Sequence, residues 1–141
     1  MRVSKKKKII TFMSCVCLIV VAHILLGFFP SVRQREENLR AAYDAIEQPA
    51  GAQLIQEYEA RKVERIWFSA IYTYPLDEPA VVAYFDKQLQ AAGWEKTGME
   101  EYKDSAQKCY MYKKKDMLLD LTYLENYHQW SFFIQYDTDE N

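Results

Sequence analysis

The chain has 141 residues, of which 50% are hydrophobic, 27% charged and 15% aromatic. That length supports one domain of ordinary size, and 4 Gly and 4 Pro beside 21 aromatic residues exclude a collagen-like or broadly disordered chain. The formal charge of −2 divides unevenly: residues 1–29 carry +5 with no acid and residues 30–141 carry −7, which points to a membrane protein and away from a nucleic-acid binder.

Residues 9–29, IITFMSCVCLIVVAHILLGFF, are 21 residues without a charge. A helix of that length spans about 31 Å, close to the ~30 Å hydrocarbon core of a bilayer. A helix also satisfies its own backbone polar groups, as a single crossing segment must. The lysines at 5–8 place the N-terminus in the cytoplasm by the positive-inside rule. The expectation is a signal-anchored, single-pass protein of the cell membrane, with residues 1–8 as a cytoplasmic basic tail, 9–29 in the lipid bilayer and the remainder extracytoplasmic. A cleaved signal peptide fits less well, because the apolar run is too long and Gly27-Phe28-Phe29-Pro30-Ser31 offers no Ala-x-Ala site. Lipid modification of Cys15, after Phe12-Met13-Ser14, fits less well again, since most of the apolar run follows that cysteine. A helix buried in a soluble protein is the weakest reading, because so small a chain could hardly cover it on all sides. His23 near mid-span reads as a neutral imidazole, and a single pass builds no proton pathway alone. Cys15 and Cys17 read as apolar filler. The spacing of Ala22 and Gly27 does not match the small-xxx-small pattern of helix dimers.

Residues 30–51 read as a helical stalk and linker. SVRQREENLRAAYDAIEQ (31–48) is rich in helix formers, with Val32, Leu39 and Ile46 seven apart. Arg35 on the alternate seam position, and only two heptads, favour a solvated stalk packed partly on its own domain over a coiled coil. Pro49-Ala50-Gly51 ends the helix.

Residues 52–137 read as an α+β extracytoplasmic domain, followed by an acidic tail at 138–141. The stretch 54–58 fits an edge strand or a helical turn equally. In 64–74, ERIWFSAIYTY, Ile66, Phe68, Ala70 and Tyr72 alternate with Trp67, Ser69, Ile71 and Thr73, which is a strand by period-2 logic. Asp77 is placed as the N-cap of a helix over 78–92, with Glu78 near the positive end of the dipole and Pro79 in the first turn. Val81, Phe85, Leu89 and Ala92 form its apolar stripe, Gly93 fits the left-handed position after its end, and Trp94 folds back over the last turn. Strands follow near 94–102, 108–115, 117–124 and 131–136. The predicted fold class is therefore a single N-terminal transmembrane helix plus an α+β domain, with an antiparallel sheet of about 4–5 strands and one helix packed on one face.

The stretch Tyr72-Thr73-Tyr74 … Tyr84-Phe85-x-x-x-Leu89-x-x-x-Gly93-Trp94 resembles a pattern in uncharacterised small bacterial lipoproteins and membrane-anchored proteins, where a strand leads into a "YY-x3-L-x3-GW" helix end and then a β-meander. The resemblance covers the domain rather than the whole chain, and it implies an envelope location and this fold. Its motif is one of packing and capping, without catalytic content. The chain departs from the lipoproteins in lacking a convincing lipobox.

The domain has one cysteine, Cys109, and one histidine, His128. A Cys–His nucleophilic pair needs a third, orienting group that the local sequence does not supply. Cys109 reads as a small core residue, and one Cys with one His cannot hold a structural zinc. Glu100-Glu101 and Asp137-x-Asp139-Glu140 stand out among the carboxylates. The terminal DTDEN resembles a calcium loop only in its acids, having no glycine and no distant bidentate glutamate. No GxSxG, phosphate-cradling glycine loop or HExxH is present, and neither Asn38 nor Asn126 begins a glycosylation sequon. Lys113-Lys114-Lys115 reads as a charged hairpin tip, with anionic headgroups as the lesser alternative. Exposed members of the 11 tyrosines could form a partner or glycan surface. No catalytic, cofactor-binding or metal-binding residue is assigned and no cofactor is expected. The expected function is non-enzymatic: an outer domain that binds or scaffolds an envelope protein, with the oligomeric state open. The alternatives are an enzyme, or an accessory subunit of a larger membrane complex, acting on envelope polymers.

Overall fold

A computed structural model describes residues 5–62 and 65–137, with side chains described for 16–22, 32–61 and 65–137. The chain divides into two compact units, Met1–Glu36 and Glu37–Asn141. Helix α1 (Lys5–Asp44) supplies the described part of the first unit and the opening residues of the second.

The expected membrane anchor is corrected here. Among the described residues, no helix is long and apolar enough to cross a membrane. The transmembrane helix over 9–29 is therefore not supported, and neither are the signal-anchor and the single-pass placement with a cytoplasmic N-terminus. Within that stretch the described side chains are those of residues 16–22. The side chains of Cys15 and His23 lie outside the described residues. Nor does the helix stop between anchor and stalk, for α1 runs unbroken past position 30.

In the second unit, strands β1 (Gln53–Lys62), β2 (Arg65–Thr73), β3 (Glu95–Tyr102), β4 (Gln107–Lys114), β5 (Met117–Leu124) and β6 (Gln129–Tyr136) form one antiparallel sheet in the order β1-β2-β6-β5-β4-β3. Six strands replace the expected four to five, because the ambiguous stretch at 54–58 is part of a full edge strand paired with β2 along its length. Helix α2 (Glu78–Ala91) joins β2 to β3. Three strands separate those two and the pairing alternates, so they run the same way. A same-sense connection must cross a face of the sheet, and α2 is that crossing.

The helix boundaries follow from local chemistry. The Asp77 side chain accepts from the Ala80 amide at 3.1 Å, closing the first turn. At the other end the Trp94 amide reaches the Leu89 carbonyl at 2.9 Å and the Gly93 amide reaches that of Gln90 at 3.0 Å. This is a Schellman closure, and it needs the positive φ of +84° that Gly93 adopts. Lys114 then donates to the Ala92 carbonyl at 2.7 Å, placing a cation at the negative end of the dipole.

Strand alternation sorts the sheet into two faces. The first carries Ile66, Phe68, Ala70 and Tyr72 from β2, Trp130, Phe132, Ile134 and Tyr136 from β6, Leu119 and Leu121 from β5, and Tyr112 from β4, all buried. Val81, Phe85 and Leu89 of α2 close over it, with the Phe85 ring 5.0 Å from Phe132. The end of α1 does the same: the Tyr43 ring lies 4.0 Å from that of Phe68, tilted by 46°, and Leu39 and Ile46 are buried. Of residues 37–46, read as part of a stalk packed partly on its own domain, Leu39, Tyr43 and Ile46 thus belong to the core of the second unit. The hydroxyls of Tyr43 and Tyr72 are hydrogen-bonded to each other, and Tyr74 donates to Gln48 at 2.6 Å.

Candidate functional site

The second face of the sheet carries the opposite set of alternating side chains. Register places Trp67 and Ile71 of β2 beside Phe133 of β6, then Leu118 and Asp120 of β5, then Met111 and Cys109 of β4. Both helical segments of the second unit pack on the first face, and the side chains of the second stay half-exposed, Cys109 excepted. Polar Ser69, Thr122, Ser131 and Gln135 lie among them by register.

Asp120 sits at its centre. Its register partners are Met111 and Phe133, and its neighbours along the strand on the same face are Leu118 and Thr122. Burial raises its pKa, and the charge of Glu100 adds to the effect. The nearest diagonal cation by register, Lys113, is held by Asp137 at 3.0 Å. No described residue forms an ion pair or hydrogen bond with Asp120. Composition and motif searching pass over this residue. A signal was nonetheless present, since aspartate is poor in a strand centre and lies here between apolar positions of MLLDLTYL.

The residues singled out by sequence are not brought together. Cys109 is 8% exposed on the second face. Burial raises its pKa, a hydrogen bond with Thr122 opposes that, and the charges of Asp120 and Glu100 reinforce it. A suppressed thiolate makes an inert thiol. His128 lies in the turn before β6 and meets the Tyr123 hydroxyl through Nδ1 at 3.2 Å, on the first face, so no Cys–His pair forms. Glu100 accepts from the Tyr102 hydroxyl, a bond that raises the tyrosine pKa. Asp139 and Glu140 lie outside the described residues, and Asp137 belongs to the ion pair above. Of the three lysines, Lys113 and Lys114 are committed to Asp137 and to the end of α2, and Lys115 occupies the left-handed turn at φ +54°. Among the described residues no group of three or more His, Cys, Asp or Glu side chains could hold a metal ion.

A second polar arrangement runs along α2. Glu78 accepts from Lys108 at 2.9 Å and Tyr110 at 2.7 Å, and two turns on Asp86 accepts from Lys96 at 2.9 Å and Tyr112 at 2.7 Å. Burial alone would raise the Glu78 pKa, but the bonds from Lys108 and Tyr110 bring it below the usual value. Tyr112 is shifted upward by burial and by its bond to Asp86. Asp86, Gln90, Trp94, Glu95, Lys96 and Tyr112 line an open depression of about 340 Å³. The acids of this ladder already hold their cations, so it braces helix to sheet and offers little to a ligand.

Comparison with known proteins identifies no family: no family model matches the chain, and no curated protein or solved structure is significantly similar to it.

Proposed function

We propose that the second unit is a protein-binding domain that works by docking a partner on the second face of its sheet, without chemistry of its own. The observation that carries this reading is the half-exposed apolar surface of Trp67, Ile71, Leu118, Phe133 and Met111 across four adjacent strands. The two sheet edges are poorer candidates. Each edge strand carries a register shift, between Leu54 and Gln56 in β1 and between Lys96 and Gly98 in β3, and bulges of this kind discourage strand addition.

The test compares the full chain with Ile71→Glu and Leu118→Glu variants at native expression levels. A partner in defined stoichiometry should accompany the wild type and be lost from both variants, whose thermal melts stay close to wild type. A chain that runs alone in gentle extracts, with hydrodynamic size unchanged by either substitution, overturns the reading.

A further inference from the structure

The chemistry of the second face narrows what it accepts. Asp120 is a carboxylate set among Met111, Phe133 and Leu118, without an ion pair or hydrogen bond to any described residue, on a face whose large side chains are mainly apolar and whose polar ones include Thr122, Ser131 and Gln135. A full charge in that position is poorly hydrated and uncompensated, which is tolerable while the face meets water and costly once it is covered by apolar groups alone. Residues 37–141 also hold 19 acids against 11 bases, a net −8 that draws cations from a distance. We propose that the partner is an apolar protein segment carrying an arginine or lysine, which lies across β6, β5 and β4 and sets its cation on Asp120, with Glu100 beside it.

This inference rests on the docking reading above and specifies its partner. Charge also argues against the obvious competitor. A second copy stacked face to face on a two-fold axis would bring one Asp120 toward the other and bury two like charges. The apolar flanks argue against a purely polyanion-seeking strip of bases, because Phe133, Leu118 and Met111 would then stay wet. A single basic side chain within an apolar stretch satisfies both.

The experiment titrates the full chain with two labelled decapeptides of alternating leucine and serine, identical except for a central arginine or a central glutamine, and reads anisotropy. The arginine peptide should bind about tenfold tighter than its twin at low salt. Asp120→Asn, which keeps the side-chain shape, should remove that preference and leave the glutamine peptide unchanged. Equal binding of the two peptides, unaffected by Asp120→Asn but abolished by Ile71→Glu, overturns the basic partner and leaves the docking face standing. No binding of either peptide counts against both. A dimer in sedimentation that Asp120→Asn tightens makes a second copy the occupant and overturns the inference.

Discussion

The two faces of one sheet share strands and register and both carry large apolar side chains, more on the first than on the second, and they end in different states. On the first, Phe132 is 1% exposed beneath Phe85 and Tyr72. On the second, its chain neighbour Phe133 lies half-exposed beside Asp120. The difference comes from what crosses the sheet. The connection from β2 to β3 carries α2 over one face only, and residues 37–46 add their apolar side chains to the same side. A face covered by helices contributes stability. A face left open contributes a surface, and it can hold a carboxylate that a core would reject.

The most direct way to break this comparison is a matched pair of truncations. Phe132→Ala should cost about 3–5 kcal/mol in urea unfolding, as deletion of a core aromatic does, whereas Phe133→Ala should cost below about 1 kcal/mol. Equal losses would mean that both faces are packed. A smaller effect is expected where α2 is closed. Gly93 sits at φ +84°, and a Cβ there meets only the Lys114 side chain at 3.8 Å, so Gly93→Ala isolates backbone strain. It should cost about 1–2 kcal/mol by the same assay, and a neutral result would show that the helix end is not held as drawn.

Asp120 sharpens the comparison from the other side. Its raised pKa means that the folded state binds a proton more readily than the unfolded chain. The resulting penalty is absent below the ordinary aspartate value of about 3.9 and fully present above the folded one. Asp120→Asn should therefore stabilise the domain at pH 7 by about 1 kcal/mol, and the gain should vanish near pH 3. A variant less stable than wild type at pH 7 would reveal a cation the open face does not show. The smallest effect belongs to the ladder along α2. The Lys96–Asp86 pair is more than a third exposed on each side, so Lys96→Met should shift stability by less than about 0.5 kcal/mol.

Much of this fold was legible from local rules. The strand over 64–74, the helix opened by Asp77 and closed by Gly93, and the strands near 94–102, 108–115, 117–124 and 131–136 all depend on neighbours within a few residues. The turns were less so. Ala106, Lys115 and His128 all take positive φ without being glycine, in hairpins whose strands impose the geometry. The stretch at 54–58 could not be resolved because a strand at a sheet edge depends on its partner, here β2. The candidate site was hidden for a related reason. Asp120 is a lone carboxylate, neither paired nor clustered with other acids in sequence, and its meaning depends on residues from two other strands.

Alternation of side chains, caps and breakers therefore determined by sequence alone where β2 to β6 lie, where α2 starts and stops, and which residues of those strands share a face, because each is a short-range matter of sterics and hydrogen bonding. Which face would be covered was a different question. The strand order β1-β2-β6-β5-β4-β3 requires α2 to cross the sheet, and it crosses the side with the unbroken apolar rows. Trp67 and Phe68 are adjacent in the chain and both aromatic, and only the crossing of a helix makes one of them core and leaves the other on the open face.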